Sequence, residues 1–201
     1  MTFPNAPLRI VVVAGLLVAS LIGLVVREGT ARAAGQEVSL AITGYDPREL
    51  LTGHYVQFQI QTERPAQSPC PLGVGSRSRG GDRWIALRPR GPLFEPVAEA
   101  ATQTEALKQG PVAVRGTLSC FGSQTILVRV TGLEREATTV QIDVGVDRLH
   151  VDQQQAEAIQ KALRTRGTAP EAYVILSVGH DGKARLKGLA AGGKRTDLTW
   201  F

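Results

Sequence analysis

Residues Ala41–Ile60 read AITGYDPRELLTGHYVQFQI, and two alternating runs meet there at a charged corner. On the upstream side Val38, Leu40 and Ile42 are apolar at every second position. On the downstream side Val56, Phe58 and Ile60 alternate with Gln57, Gln59 and Gln61. A period of two marks strands with one buried face. Asp46 before Pro47 favours a turn, and Gly53 suits a backbone that must reverse. The corner also holds the best candidate site residues, Asp46, Arg48, His54 and Tyr55, as a binding set. No nucleophile lies among them, so a structural corner outweighs a catalytic one.

Outward from this corner the chain continues in short strands. Runs are expected at 38–43, 54–62, 83–88, 94–97, 112–119, 125–131, 139–146, 149–151, 173–178 and 184–189, with Phe121-Gly122-Ser123 as a hairpin and Asp181-Gly182 as a tight one. Residues 99–108 offer a weak helical turn. One stronger helix comes late: Asp152 caps it, Gln155 completes the capping pattern, and Ala156, Ile159, Ala162 and Leu163 share a face. The close spacing of strands predicts mainly antiparallel pairing. The fold class is therefore α+β and β-rich: an antiparallel sheet or partly closed barrel with one late helix. The tail from Ala190 is glycine-rich and ends in Trp200-Phe201.

The amino-terminal region is of another kind. Ile10–Val26 is a run of seventeen residues without a charge, about 25 Å as a helix and near the lower limit for crossing a bilayer. It reads as a single-pass anchor. The alternative is a cleaved secretory signal, with Ala31-Arg32-Ala33 as the small-x-small site before Ala34. The expected organisation is an anchor over 1–33, a short small-residue linker at 31–36, and a β-rich domain over 34–201. Short amino-terminal tails usually stay cytoplasmic, which puts that domain in the periplasm and the anchor in the inner membrane.

Composition excludes several classes. The net charge is +5, with only five Phe, three Tyr and two Trp, too mild and too poor in stacking residues for a nucleic-acid reader. Six arginines fall between Arg64 and Arg90 against one acid, Asp82; these suit contact with anionic headgroups or an acidic partner, or a solvated loop. His54, His150 and His180 are scattered, and no metal site or cofactor is expected. Cys70 and Cys120 fit an oxidising compartment, as a bridge closing about 50 residues or as two unpaired small hydrophobes; the bridge is the expectation.

The run Asp46-Pro47-Arg48-Glu49-Leu50-Leu51-Thr52-Gly53-His54-Tyr55 resembles the hallmark of the GDYxxLxY family. Further similar stretches are Trp84-Ile85-Ala86-Leu87-Arg88-Pro89, Arg115-Gly116 ahead of Cys120, Leu163-Arg164, the Asp181-Gly182 hairpin and Lys187-Gly188-Leu189. The resemblance covers about residues 37–190. His54 stands for the signature aspartate, Phe58 for its leucine and Ile60 for its last tyrosine. The resemblance implies a membrane-associated bacterial protein with an amino-terminal transmembrane segment, and a polytopic membrane protein as a partner. The expected role is a periplasmic binding or assembly module. An envelope-facing enzyme and a tethered ligand or lipid carrier are the alternatives.

Overall fold

The computed structural model describes residues 6–44, 55–74, 83–128, 133–150 and 172–198. The charged corner with Asp46, Arg48 and His54, and the expected late helix at 152–166, lie outside them. Two helices and eleven strands are described: α1 (Ala6–Ala34), β1 (Gln36–Gly44), β2 (Tyr55–Pro65), β3 (Trp84–Arg90), β4 (Leu93–Ala100), α2 (Gln103–Gln109), β5 (Val112–Arg115), β6 (Thr117–Val128), β7 (Leu133–Asp143), β8 (Arg148–His150), β9 (Ala172–Val178), β10 (Ala184–Ala191) and β11 (Lys194–Asp197).

All strand pairs are antiparallel. The larger sheet runs β11-β10-β9-β1-β2-β7-β6, with β8 also beside β2. β1 is its hinge strand: Gln36–Ala41 pair with β9, and Ile42–Gly44 with β2. A second sheet, β4-β3-β5, is separate. The sheets are open, so the fold is β-rich α+β and not a closed barrel.

The core lies between the sheets, because alternation sends every second residue inward. Val38, Leu40 and Ile42 of β1, Phe58 and Ile60 of β2, and Val174 and Leu176 of β9 meet Ile85, Leu87, Val112 and Val114 of the second sheet. The back of that second sheet is covered too. Ala86, Ala98 and Ala113 pack on Ala106 of α2; small side chains on both partners let the helix lie close. This explains why Ile85, Ala86 and Leu87, on opposite faces of β3, are all buried. α2 starts where Thr102 Oγ1 accepts a hydrogen bond from the Glu105 amide at 3.3 Å, a capping contact worth about 1 kcal/mol.

Several expectations need correction. The strand expected over 112–119 is two, because the chain crosses from one sheet to the other at Gly116, between β5 and β6. Residues 121–123 are no hairpin: β6 runs straight through, and the register against β7 merely shifts between Phe121 and Ser123. One extra residue bulges out and pairing resumes. The glycine-rich tail folds into β11, which pairs with β10 from Gly188 to Ala191. Finally, there is no linker at 31–36. Helix α1 continues to Ala34, and Gly35 alone separates it from β1.

Candidate functional site

Among the described residues two places bring polar groups together: the junction where α1 meets the sheet, and a cleft beside β2.

The junction is built on the β9–β10 turn. Gly179 donates its amide to the Lys183 carbonyl at 3.2 Å, and the Gly182 amide bonds the Gly179 carbonyl at 2.9 Å. The Asp181 carboxylate accepts from the Lys183 amide at 3.0 Å, an Asx turn. Gly182 has φ +73°, which favours glycine. A β-carbon there would also strike the Trp84 ring, on which the Arg115 guanidinium stacks at 5.1 Å. The turn is thus seated on β3 and β5, and Gln103 Nε2 of α2 adds a bond to the His180 carbonyl at 3.2 Å.

Arg185 then joins this turn to the helix. Its side chain is 8 % exposed. Nε donates to Glu28 Oε1 at 2.7 Å, and the two terminal nitrogens grip Asp181 Oδ1 and Oδ2 at 3.2 and 3.0 Å. One turn further along α1, Arg32 donates to the carbonyls of Lys187 at 3.2 Å and Leu198 at 2.8 Å. Glu37 at the start of β1 accepts from Lys187 at 2.9 Å and Arg195 at 3.0 Å, and Arg195 also holds Asp197 at 2.8 Å. The bidentate hydrogen bond from Arg185 holds Asp181 down to about 2, from an ordinary 3.8. Lys187, then Arg195, keeps Glu37 below the usual carboxylate range. Asp181 raises Arg185 above its ordinary value.

The cleft, about 530 Å³, is lined by Gln57 to Ile60 of β2, by Gln141 to Asp143 of β7, and by Gly145, Val146 and Asp147 of the turn into β8. It opens where β2 changes partner, from β8 at 55–57 to β7 from Ile60 onward. Phe58 bridges the gap with a 2.9 Å amide bond to the Asp147 carbonyl. Asp143 Oδ1 accepts from the Gly145 amide at 2.9 Å, and Arg148 approaches Asp147 at 3.4 Å. Three carboxamides and two carboxylates suit a polar, hydrogen-bonding ligand; an acyl chain would leave these groups unpaired.

Of the four expected binding residues, only Tyr55 is described. It opens β2 opposite His150, two rungs from the cleft's edge at Gln57. Among the described residues no group of three His, Cys, Asp or Glu could hold a metal. Cys70 and Cys120 are bonded, with Cα atoms 5.9 Å apart, stapling the 66–74 loop to β6. The basic excess is largely internal. Arg64 bonds the Pro96 carbonyl, Arg83 pairs with Glu99, Arg88 bonds the Gln109 carbonyl and Arg90 pairs with Glu95; Arg77 and Arg79 lie outside the described residues. The junction was missed because its partners are 157 residues apart in the chain, and no local pattern links Glu28 to Arg185.

The family model described as GDYXXLXY protein matches residues 17–189, from the middle of α1 to the end of β10. No curated protein and no solved structure matches the chain.

Proposed function

We propose, for a chain that belongs to the GDYXXLXY protein family, that α1 anchors it in the bacterial inner membrane and holds residues 34–201 in the periplasm as a binding or assembly accessory to a membrane partner. The carrying observation is the contrast within α1. Leu8–Ala34 is long and apolar enough to cross a membrane, and its large apolar side chains from Leu8 to Val26 are 51–69 % exposed. Such a helix is stable only in lipid or against another apolar helix. Its last two turns, by contrast, are bonded to the domain through Glu28 and Arg32. The Cys70–Cys120 bond supports an oxidising compartment for the domain. Gly15, Ala19 and Gly23 lie four apart on one helix face, and small residues there would let a partner helix approach closely.

Crosslinking in native membranes followed by co-purification tests the reading. A specific polytopic membrane protein is expected, lost when Gly15, Ala19 and Gly23 are replaced by leucine. Recovery of the chain in the soluble fraction, or of no specific membrane protein, would overturn it.

A second reading is favoured by the cleft. Its polar lining supports a tethered carrier of a small hydrogen-bonding ligand rather than of a lipid tail. Thermal shift against polar metabolites, with Gln59→Leu as control, separates the two. The enzyme reading would need a pocket where His54 and Tyr55 converge with two or more acids, and His54 lies outside the described residues.

A further inference from the structure

The depth of a residue in the membrane is fixed by what it touches on α1. The uncharged run ends at Val26, and Glu28 follows about 3 Å further along the helix axis. That is within the headgroup layer, about 5–8 Å thick on each side of the hydrocarbon. Arg185 bonds Glu28 at 2.7 Å with one nitrogen and Asp181 at 3.0 Å with another. The β9–β10 turn is therefore held within one side chain's length of Glu28. It is firmly seated, with the Gly182 carbonyl accepting from the Arg115 amide at 2.8 Å and its α-carbon against Trp84.

At that depth the turn and the adjoining helix carry three cations, Lys183, Arg27 and Arg185, against two acids, Asp181 and Glu28. Lys183 and His180 are exposed on the turn, and Arg27 is exposed on the helix beside it. Lys183 is near enough to Glu28 to act on its charge. The two acids of the cluster, Glu28 and Asp181, are already bonded to Arg185. Among the described residues neither Lys183 nor Arg27 makes an ion pair. Cations in excess at headgroup level attract anionic lipid, each by about 1 kcal/mol, or roughly fivefold in association.

We infer that the β9–β10 turn is a second membrane contact, in which Lys183 and Arg27, with His180 beside them, bind the phosphates of anionic lipid headgroups. The inference rests on α1 being the anchor. It also relocates the lipid-facing charge: the arginines of 64–90 that the structure describes are engaged within the domain, whereas these cations are not.

The test uses the full chain reconstituted in bilayers with and without phosphatidylglycerol. Single cysteines carrying spin labels are introduced by Leu17→Cys, His180→Cys and Pro92→Cys under non-reducing conditions, which leave Cys70 and Cys120 bonded. Pro92 lies in the β3–β4 turn, at the far end of β3 from Trp84. Collision with a water-soluble nickel complex reports depth. Expected are shielding at 17 and at 180 and free access at 92, with access at 180 rising about fivefold on Lys183→Glu in phosphatidylglycerol bilayers alone. If 180 is as accessible as 92 while 17 stays shielded, the second contact is overturned and the anchor stands. Access at 17 overturns both. Shielding at 180 that ignores lipid charge and Lys183→Glu overturns recognition of anionic headgroups.

Discussion

Two margins of the larger sheet are secured by different chemistry. At the β9–β11 margin, α1 is held by charged side chains: Arg185 on Glu28 and Asp181, Arg32 on two carbonyls, Lys187 and Arg195 on Glu37. At the β6–β7 margin, the proline-rich 66–74 loop is held by a covalent bond, helped by Arg64 reaching the carbonyls of Pro69 and Pro96. α1 brings little apolar surface to its contact, and the loop brings only Pro71 and Val74. The loop leaves Leu72 largely exposed, and α1 reserves its apolar face. The difference lies in reversibility. A bridge restrains the unfolded chain as well as the folded one, whereas ion pairs act only in the folded state and yield to salt and acid.

The contrast can be broken from either side. Replacing Cys70 and Cys120 by serine should cost about 3–4 kcal/mol on the chain-entropy model, read by denaturant unfolding of the full chain in micelles, and the loss should be the same at low and high salt. A salt-dependent loss would mean that the bridge and the ion pairs secure one unit.

Arg185→Ala should cost about 1–2 kcal/mol, since it removes charge-assisted bonds to two carboxylates that water can partly reach. The wild-type protein should approach the variant as salt rises. A tryptic cut after Arg32, absent from the wild type, should appear as the end of α1 comes loose.

Acid sharpens the comparison further. The folded protein holds Asp181 at about 2 against an ordinary 3.8, so its contribution is whole above about pH 4 and is lost as pH falls towards 2. Melting temperature should drop across that window. The slope should flatten in Arg185→Ala and persist in the double serine variant. The smallest effect is Arg195→Ala. Its pairs with Glu37 and Asp197 are half-exposed, so about 0.5 kcal/mol or less is expected, within reach only of a double-mutant cycle.

The strands were legible where one face is apolar and the other wet. β1 and β2 follow the period of two; β9 and β10, buried on both faces, were legible as short apolar runs joined by Asp181-Gly182, whose local turn chemistry marks their hairpin. β6 was cut in two at Phe121-Gly122-Ser123 because a glycine followed by polar residues, Ser123 and Gln124, has the same local signature in a bulge as in a turn; only the partner strand distinguishes them. β11 was hidden because Lys194–Asp197 has no apolar face: it is an edge strand held by backbone pairing. The cleft was illegible for a related reason. It exists because β2 changes partner, and partner choice is a long-range property. The glutamines at 57 and 59 were visible as a polar face, but nothing in their spacing brings Asp143 and Asp147 to them. The arginines of 64–90 were visible as charge, and their carbonyl and carboxylate partners were not.

Gly35 carries one more consequence. It is the whole connection between helix and strand, and a β-carbon on it would run into the Ser177 hydroxyl and the Val178 backbone. The joint has no slack, so the azimuth of the anchor is set by the domain. A partner helix meeting the Gly15, Ala19 and Gly23 side does so at one bearing relative to the cleft. One residue inserted at 35 would swing that side by about 100° and pull Glu28 and Arg32 off their partners together. The length of the joint, more than its composition, keeps the two halves of the molecule in phase.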